Sequence, residues 1–316
     1  MSVFLSVVLP THNPHRGRLV RTLAGLRAQT MPVASWEMIL VDNASAPALD
    51  AAELAALGPA NLRIVRETAL GLTPARRRGF SEARSEFLVL VDDDNVLAPD
   101  YLDQVAALFA AHPKLGAAGG KNLGEFETPR PAWWQPEFDG LLACRDAGDA
   151  TEICTALFDP STGRNEYPLC APVGAGMALR RAALATWLAD DSTARLPDRR
   201  GNELSSSGDN DIVLSILRAG WSVGYFPSLI LTHLIPSGRV QPDYVARLNR
   251  GIARSWVQVL HKYDANPWPP VAPWTVPLRQ LKAWFVYRAW SGHLARIRWQ
   301  GACGHFEGLA QLTSRT

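Results

Sequence analysis

The first 120 residues alternate between two textures at a regular spacing, and this constrains the fold more than any other feature. Residues 3–10, 37–41, 62–65 and 87–91 are short, apolar and rich in β-branched side chains, as strands buried on both faces are. Helical patterns lie between and after them. Leu19, Leu23 and Leu26 share one face, as do Tyr101, Val105 and Leu108, and Pro99-Asp100 opens the second of these helices. Such alternation predicts βαβ units, an open α/β sheet and a ligand crevice outside the carboxyl ends of its strands.

Those strand ends carry the polar residues. In order they are Thr11-His12-Asn13, Asp42-Asn43-Ala44-Ser45 and Asp92-Asp93-Asp94-Asn95. After Gly119-Gly120 the texture changes, and residues 121–171, rich in Pro, Trp and acids, read as a long insertion. Regular structure resumes at 172–181, with helices expected near 182–188 and at 209–218 and a strand at 223–232. A polar loop at 190–207 precedes the second of these helices. Helical patterns return at 244–261 and 278–298, separated by a proline-rich link at 266–277. The division expected is 1–120, 121–240, and 241–316 as a helical extension.

Composition excludes other classes. With 47% apolar and 20% charged residues the chain is an ordinary globular one, and a net charge of +2 gives no field for nucleic acid. Cys144, Cys154, Cys170 and Cys303 form no C-x-x-C pair, so free thiols in a reducing compartment are expected. The opening segment lacks the basic region and cleavage site of a signal peptide, and no apolar run approaches a bilayer span. A cytoplasmic protein is expected.

Three consecutive carboxylates after an apolar strand repel one another unless a cation compensates. A magnesium-type ion bridging phosphate oxygens would, and in an extended segment Asp92 and Asp94 point to one side and share it. The plainer alternative is an acidic turn capping the next helix. In Gly71-Leu72-Thr73-Pro74-Ala75-Arg76-Arg77-Arg78-Gly79, Thr73 and Pro74 read as N-cap and first helical residue. Three arginines then oppose the helix dipole, which hints at an anionic partner, or else form a solvated basic face. Asp209, in Gly208-Asp209-Asn210-Asp211, opens a helix whose N-terminus favours negative charge; it is a candidate base or simply a cap. His233 and Arg239 follow a strand and suit a metal or phosphate, although a histidine there is often structural.

Taken together these segments resemble the inverting family 2 glycosyltransferases of the GT-A fold. The matching strings are Ser6-Val7-Val8-Leu9-Pro10-Thr11-His12-Asn13, Val41-Asp42-Asn43-Ala44-Ser45, the Gly71 to Gly79 run, Val89-Leu90-Val91-Asp92-Asp93-Asp94, Gly174-Ala175-Gly176-Met177-Ala178-Leu179-Arg180-Arg181, and Gly208-Asp209-Asn210-Asp211 with Leu217-Arg218-Ala219-Gly220-Trp221. They fall in the family's order over residues 2–240. The resemblance implies a Rossmann-like, mostly parallel sheet flanked by helices, with 1–120 as the nucleotide-sugar-binding half and 121–240 as the acceptor-binding and catalytic-base half. It also implies that Pro10, Thr11, Asn13, Asp42 and Arg76 bind the nucleotide, and that Asp92, Asp93 and Asp94 bind ribose, metal and diphosphate. Asp92, Asp94 and His233 would hold Mn2+ or Mg2+, and Asp209, with Asp211 beside it, would supply the base. Gly176 and Met177 fall on its acceptor side, where Arg239 is also placed. Two departures stand out: Gly208 where the family commonly has Glu, and His12 where Tyr is frequent. The first leaves open which of Asp209 and Asp211 is the base. Without a Q-x-x-R-W string or a membrane span, the chain does not resemble a processive synthase.

The implied donor is a nucleotide sugar, a UDP-sugar foremost, and the acceptor a saccharide or a lipid-linked hydroxyl. Ten of eleven tryptophans follow residue 130; most suit core packing, but Trp133-Trp134 in the insertion suits stacking on a sugar. Residues 277–316 carry six Lys/Arg against one acid, Glu307, interleaved with Trp284, Phe285, Trp290 and Trp299. This fits either a packed helical extension or peripheral contact with the cytoplasmic face of a membrane. A nucleotidyltransferase, or a non-catalytic nucleotide-sugar-binding protein on the same fold, are the alternative functions.

Overall fold

The strands at the centre of the molecule are those whose side chains are apolar on both faces. The computed structural model describes residues 4–190, 204 and 206–313. Strand β1 (Leu5–Thr11), helix α1 (Arg16–Arg27), β2 (Trp36–Asn43), α2 (Ala51–Leu57), β3 (Leu62–Glu67), α3 (Leu72–Glu82) and β4 (Phe87–Leu90) follow one another as βαβ units. Every residue of β1, β2 and β4 is buried, whereas β3, at the sheet edge, is only half-buried. Next come β5 (Asn95–Leu97), α4 (Tyr101–Ala111), β6 (Leu115–Phe126), α5 (Glu137–Leu141), β7 (Glu152–Cys154), β8 (Phe158–Asp159), β9 (Arg164–Asn165), β10 (Ala178–Arg180), α6 (Ala185–Ala189), α7 (Gly208–Arg218) and β11 (Ser222–Ile235). The large sheet runs β3-β2-β1-β4-β10-β6-β11-β5, with β7 added beside β11. Pairing is parallel from β3 to β4 and between β6 and β11, and antiparallel at β10, β5 and β7. The expected mostly parallel α/β sheet is therefore present, with Leu23, Leu40 and Val105 in the core on one side and Phe80, Ile212 and Leu214 on the other.

Several expected boundaries move. The break expected at Gly119-Gly120 is the middle of β6; a side chain on Gly119 would meet Pro172, and one on Gly120 would meet the Leu229 carbonyl. Helix α3 starts at Leu72 with Gly71 as its N-cap, at φ 141°, a region open to glycine. Thr73 and Pro74 are thus second and third in the helix, where Pro costs nothing because the first-turn N–H groups have no helical acceptor. Asp92–Asp94 are not extended: the Asn95 N–H donates to the Asp92 carbonyl at 3.0 Å, closing a turn. Most of the expected loop at 190–207 (191–203 and 205) lies outside the described residues, as do Val3 and residues 314–316.

The C-terminal part is helical, as expected: α8 (Pro242–Lys262), α9 (Val276–Val286) and α10 (His293–Thr313). One helix was expected over 278–298, but the chain breaks where Arg288 and Gly292 take positive φ (50° and 154°). None of the described helices is long and apolar enough to cross a membrane.

Candidate active site

The sheet register assembles the site. Parallel pairing sets Thr11 beside Asp42 at the carboxyl ends of β1 and β2. Antiparallel pairing of β11 with β5 sets His233 against Asn95, next to Asp94. A cleft of about 350 Å³ opens there, within the range of small-ligand pockets. Its walls include Pro10, Thr11, Arg76, the three aspartates, Asp209, His233 and Arg239. Strand ends, the α3 N-terminus and the α7 N-terminus thus meet around one space.

The acidic side is densely bonded. Thr11 Oγ1 donates to Asp93 Oδ2. Asp93 is pushed up to about 6, first by burial and then by Asp94 and Asp92, while Thr11 and Arg239 oppose the shift. Asp94 is buried and faces Arg239 Nη2 at 3.0 Å, His233 Nε2 at 3.3 Å and Asn95 Nδ2 at 3.1 Å. Arg239 Nη1 also lies 3.2 Å from His233 Nε2, so that nitrogen sits between a donor and an acceptor. His233 Nδ1 is buried without a hydrogen-bond partner among the described residues, and so is Arg76 Nε. Orphaned buried nitrogens in a cleft signal a missing polar partner.

The opposite wall carries Asp209, second residue of α7. Its Oδ2 accepts the Gly174 N–H at 3.0 Å and its Oδ1 the Asn210 N–H at 3.0 Å. A Cβ on Gly174 would lie 2.8 Å from Arg76 Nη2 and 3.2 Å from Asp209 Cβ, so a side chain there would press on both residues. Asp211 faces the core, where it accepts from Trp187 Nε1 at 2.7 Å, Lys262 Nζ at 2.7 Å and Tyr263 OH at 2.8 Å.

Other expected site residues lie outside the cleft wall. Asp42 sits behind it: burial alone would raise its carboxyl, but hydrogen bonds from Ser45 and Leu49, with Arg66, hold it below the usual range. Asn13, at φ 46°, splints the β2 loop by accepting the Ala46 N–H at 2.9 Å. Met177 is core, and Gly176 presents its carbonyl to Tyr101 OH at 2.5 Å. Trp133 and Trp134 pack with Phe126, Phe138 and His293, and Trp134 Nε1 donates to Asp139 at 2.8 Å. Arg239, expected on the acceptor side, is on Asp94. Two residues without an expected role matter: Gly174, and Asn43, whose side chain accepts the Gly71 N–H at 2.8 Å and donates to the Ala69 carbonyl at 2.8 Å. Asn43 thereby fixes the loop that delivers Arg76.

A divalent cation fits this chemistry in one particular way. Among the described residues no three His, Cys, Asp or Glu groups converge as a preformed cage. Asp92 and Asp94, with the His233 imidazole beside Asp94, could hold a magnesium-type ion only if bound substrate phosphates supplied the remaining ligands.

Residues 6–182 match the family profile described as Glycosyl transferase family 2. The O-antigen biosynthesis protein RfbC of Myxococcus xanthus is 33% identical over 118 residues, 35% of this chain and 9% of that one. The putative glycosyltransferase EpsH of Bacillus subtilis (strain 168) is 36% identical over 88 residues, 27% of this chain and 25% of its own length. The chain thus spans a quarter or less of these relatives. In fold it is similar to S. aureus TarS, with TM-score 0.51 and 15% identity over 98% of this chain and 55% of that one. Residues 1–349 of TarS in complex with UDP align with TM-score 0.50 and 15% identity, over 99% and 92% respectively. With more than half of its residues inside the matched profile, this chain belongs to glycosyl transferase family 2.

Proposed function

We propose that the chain is a metal-dependent inverting glycosyltransferase that moves a sugar from a UDP-sugar to a hydroxyl of a saccharide or lipid-linked acceptor. Polysaccharide or glycolipid assembly on the cytoplasmic side is the setting. The observation that carries the reading is the single cleft that brings Asp92, Asp93, Asp94 and Arg76 opposite Asp209. The UDP bound by TarS and the names of RfbC and EpsH support it.

In this reading Arg76, whose Nε lacks a partner among the described residues, takes donor phosphate or nucleotide. Asp92 and Asp94, with His233, would hold Mn2+ or Mg2+, which would supply positive charge to offset that of the leaving diphosphate. Asp209, fixed by two backbone N–H groups, removes the proton of the acceptor hydroxyl as it attacks the anomeric carbon from the face opposite the leaving group. Single displacement then inverts configuration. The Asp211 carboxylate is fully used by Trp187, Lys262 and Tyr263, so Asp209 is the better base.

The test is a thermal-shift screen of UDP-, GDP- and dTDP-sugars with and without Mn2+ or Mg2+, followed by product analysis. A UDP-sugar with metal should raise Tm, since a ligand of the native state stabilises it, and UDP should be released. Stabilisation by no nucleotide sugar, or release of pyrophosphate, would overturn the reading.

A further inference from the structure

The C-terminal helices carry a surface that the cleft does not explain. Helix α9 docks on α10 by one side: Ala283 is buried, Trp284 meets the edge of Trp299 at 4.8 Å, and Gln280 donates to Glu307 at 3.0 Å. Its other side is bare. Trp274, Leu278, Leu281 and Phe285, at helical spacing, are 75%, 61%, 56% and 61% exposed, and Val286 and Trp290 extend the patch. Of the fifteen exposed large apolar side chains among the described residues, eight lie between residues 268 and 290. Isolated exposed apolar residues need no explanation, but a contiguous stripe marks an interaction surface.

Charge identifies the partner. From residue 265 to 306 there is no acid, against five arginines and lysines. Arg296 pairs with Asp243 and Arg298 with Glu137. Arg279, Lys282 and Arg288 are exposed and have no acidic partner among the described residues. Lys282 lies beside the apolar stripe on α9, and Arg288 follows the helix, at φ 50°, between Val286 and Trp290 of the same patch. Two copies meeting through this face would set these cations against each other. An anionic surface neutralises them, while Trp274 and Trp290 suit the headgroup boundary. At 11 residues, α9 is roughly 16 Å long, too short to span a bilayer and suited to lying in its surface.

We propose that the outer face of α9, with Trp274 just before the helix and Trp290 just after it, docks the protein on an anionic lipid bilayer. The full chain should float with vesicles containing phosphatidylglycerol, not with phosphatidylcholine alone, and raised salt should weaken the association. Leu281→Glu/Phe285→Glu should abolish flotation. Lys282→Gln/Arg288→Gln should weaken it about fivefold per charge removed. Both variants should keep the wild-type Tm, because the substituted side chains are exposed. The proposal is overturned by failure to float, by equal flotation with neutral vesicles, or by flotation that survives the Glu pair. A dimer in light scattering that the Glu pair splits, without vesicle binding, would assign the face to a second copy instead.

Discussion

Asp94 has both a guanidinium and an imidazole on it, whereas Asp93 has a hydroxyl and two acidic neighbours. The protein therefore carries Arg239 as its own counter-ion in the acidic turn. Burial would lower the Arg239 guanidinium, yet Asp94, with Tyr244, Asp93 and Asp92 behind it, keeps it above its ordinary value. Removing one partner of a buried pair exposes the other to the full desolvation penalty. Arg239→Gln should then cost about 2–4 kcal/mol in chelator, and Mn2+ should restore part of it; melts in EDTA and in Mn2+ measure both, and a loss that Mn2+ leaves unchanged would count against a shared cation position. Asp93 gives a pH signature. Its carboxyl rises from 3.8 to about 6 on folding, so the folded state holds the proton more tightly than the unfolded one. Stability is thus lost as pH rises from about 4 through 6, and the cost is complete above that. In the metal-free protein Asp93→Asn should be more stable than wild type by about 1–2 kcal/mol at pH 8, after discounting for partial exposure. The two should converge below pH 4. Denaturation curves at pH 4, 6 and 8 would show it, and a gap independent of pH would refute it.

Helix α7 presents Asp209 to the cleft and Asp211 to the core because two residues along a helix turn the side chain to nearly the opposite face. Asp211 ties α7 to Trp187 of α6 and to Lys262 and Tyr263 at the end of α8. Asp211→Ala should therefore lower stability by about 3–5 kcal/mol, as loss of one member of a buried charged network does. Asp209→Asn, which keeps one of the two backbone N–H bonds, should lower the urea midpoint less than Asp211→Ala does, while turnover falls about 10²- to 10⁴-fold, the usual contribution of a general base; a larger midpoint loss for Asp209 than for Asp211 would reverse the two roles. The same pair shows where sequence reading stops. That an acidic helix start lay near the donor site was legible, but which carboxylate faced it depends on how the helix is rolled against Trp187. Strands β1, β2 and β4 were legible because burial on both faces demands Val, Ile and Leu throughout. Strand β10 was not, since three residues (Ala178–Arg180) show no periodicity and their antiparallel insertion between β4 and β6 is a tertiary choice. The roles of Asn43 and Gly174 were not legible because they rest on backbone N–H bonds between distant segments, from Gly71 to the Asn43 side chain and from Gly174 to Asp209. In α10, glycines replace a legible apolar seam: a side chain on Gly304 would drive into the Arg250 carbonyl, and one on Gly308 would come within 2.7 Å of the Arg254 carbonyl. Gly304→Val should cost about 1–3 kcal/mol by over-packing, read from the urea midpoint; an unchanged midpoint would mean that α8 and α10 separate freely.

At the scale of the whole molecule, the cleft is divided between chain segments far apart in sequence. Thr11, Arg76 and Asp92–Asp94 come from the first βαβ units, whereas Asp209, His233 and Arg239 come from α7, β11 and the turn after it. A ligand filling the cleft joins the two groups, and its stabilisation depends on both. A nucleoside diphosphate entering without metal sets its negative charge against three carboxylates that share Arg239. In the proposed reading a divalent cation would let the same phosphates complete a coordination begun by Asp92 and Asp94. Nucleotide and metal should thus bind with positive coupling, about 1–3 kcal/mol or 5- to 150-fold, and linkage makes the effect reciprocal. Titration calorimetry of UDP with and without Mn2+, and of Mn2+ with and without UDP, should give the same factor. Asp94→Ala should remove that coupling while leaving the weaker metal-free binding of UDP in place. Equal UDP affinity with and without Mn2+ in the wild type would show that Arg239, rather than a metal, balances the diphosphate.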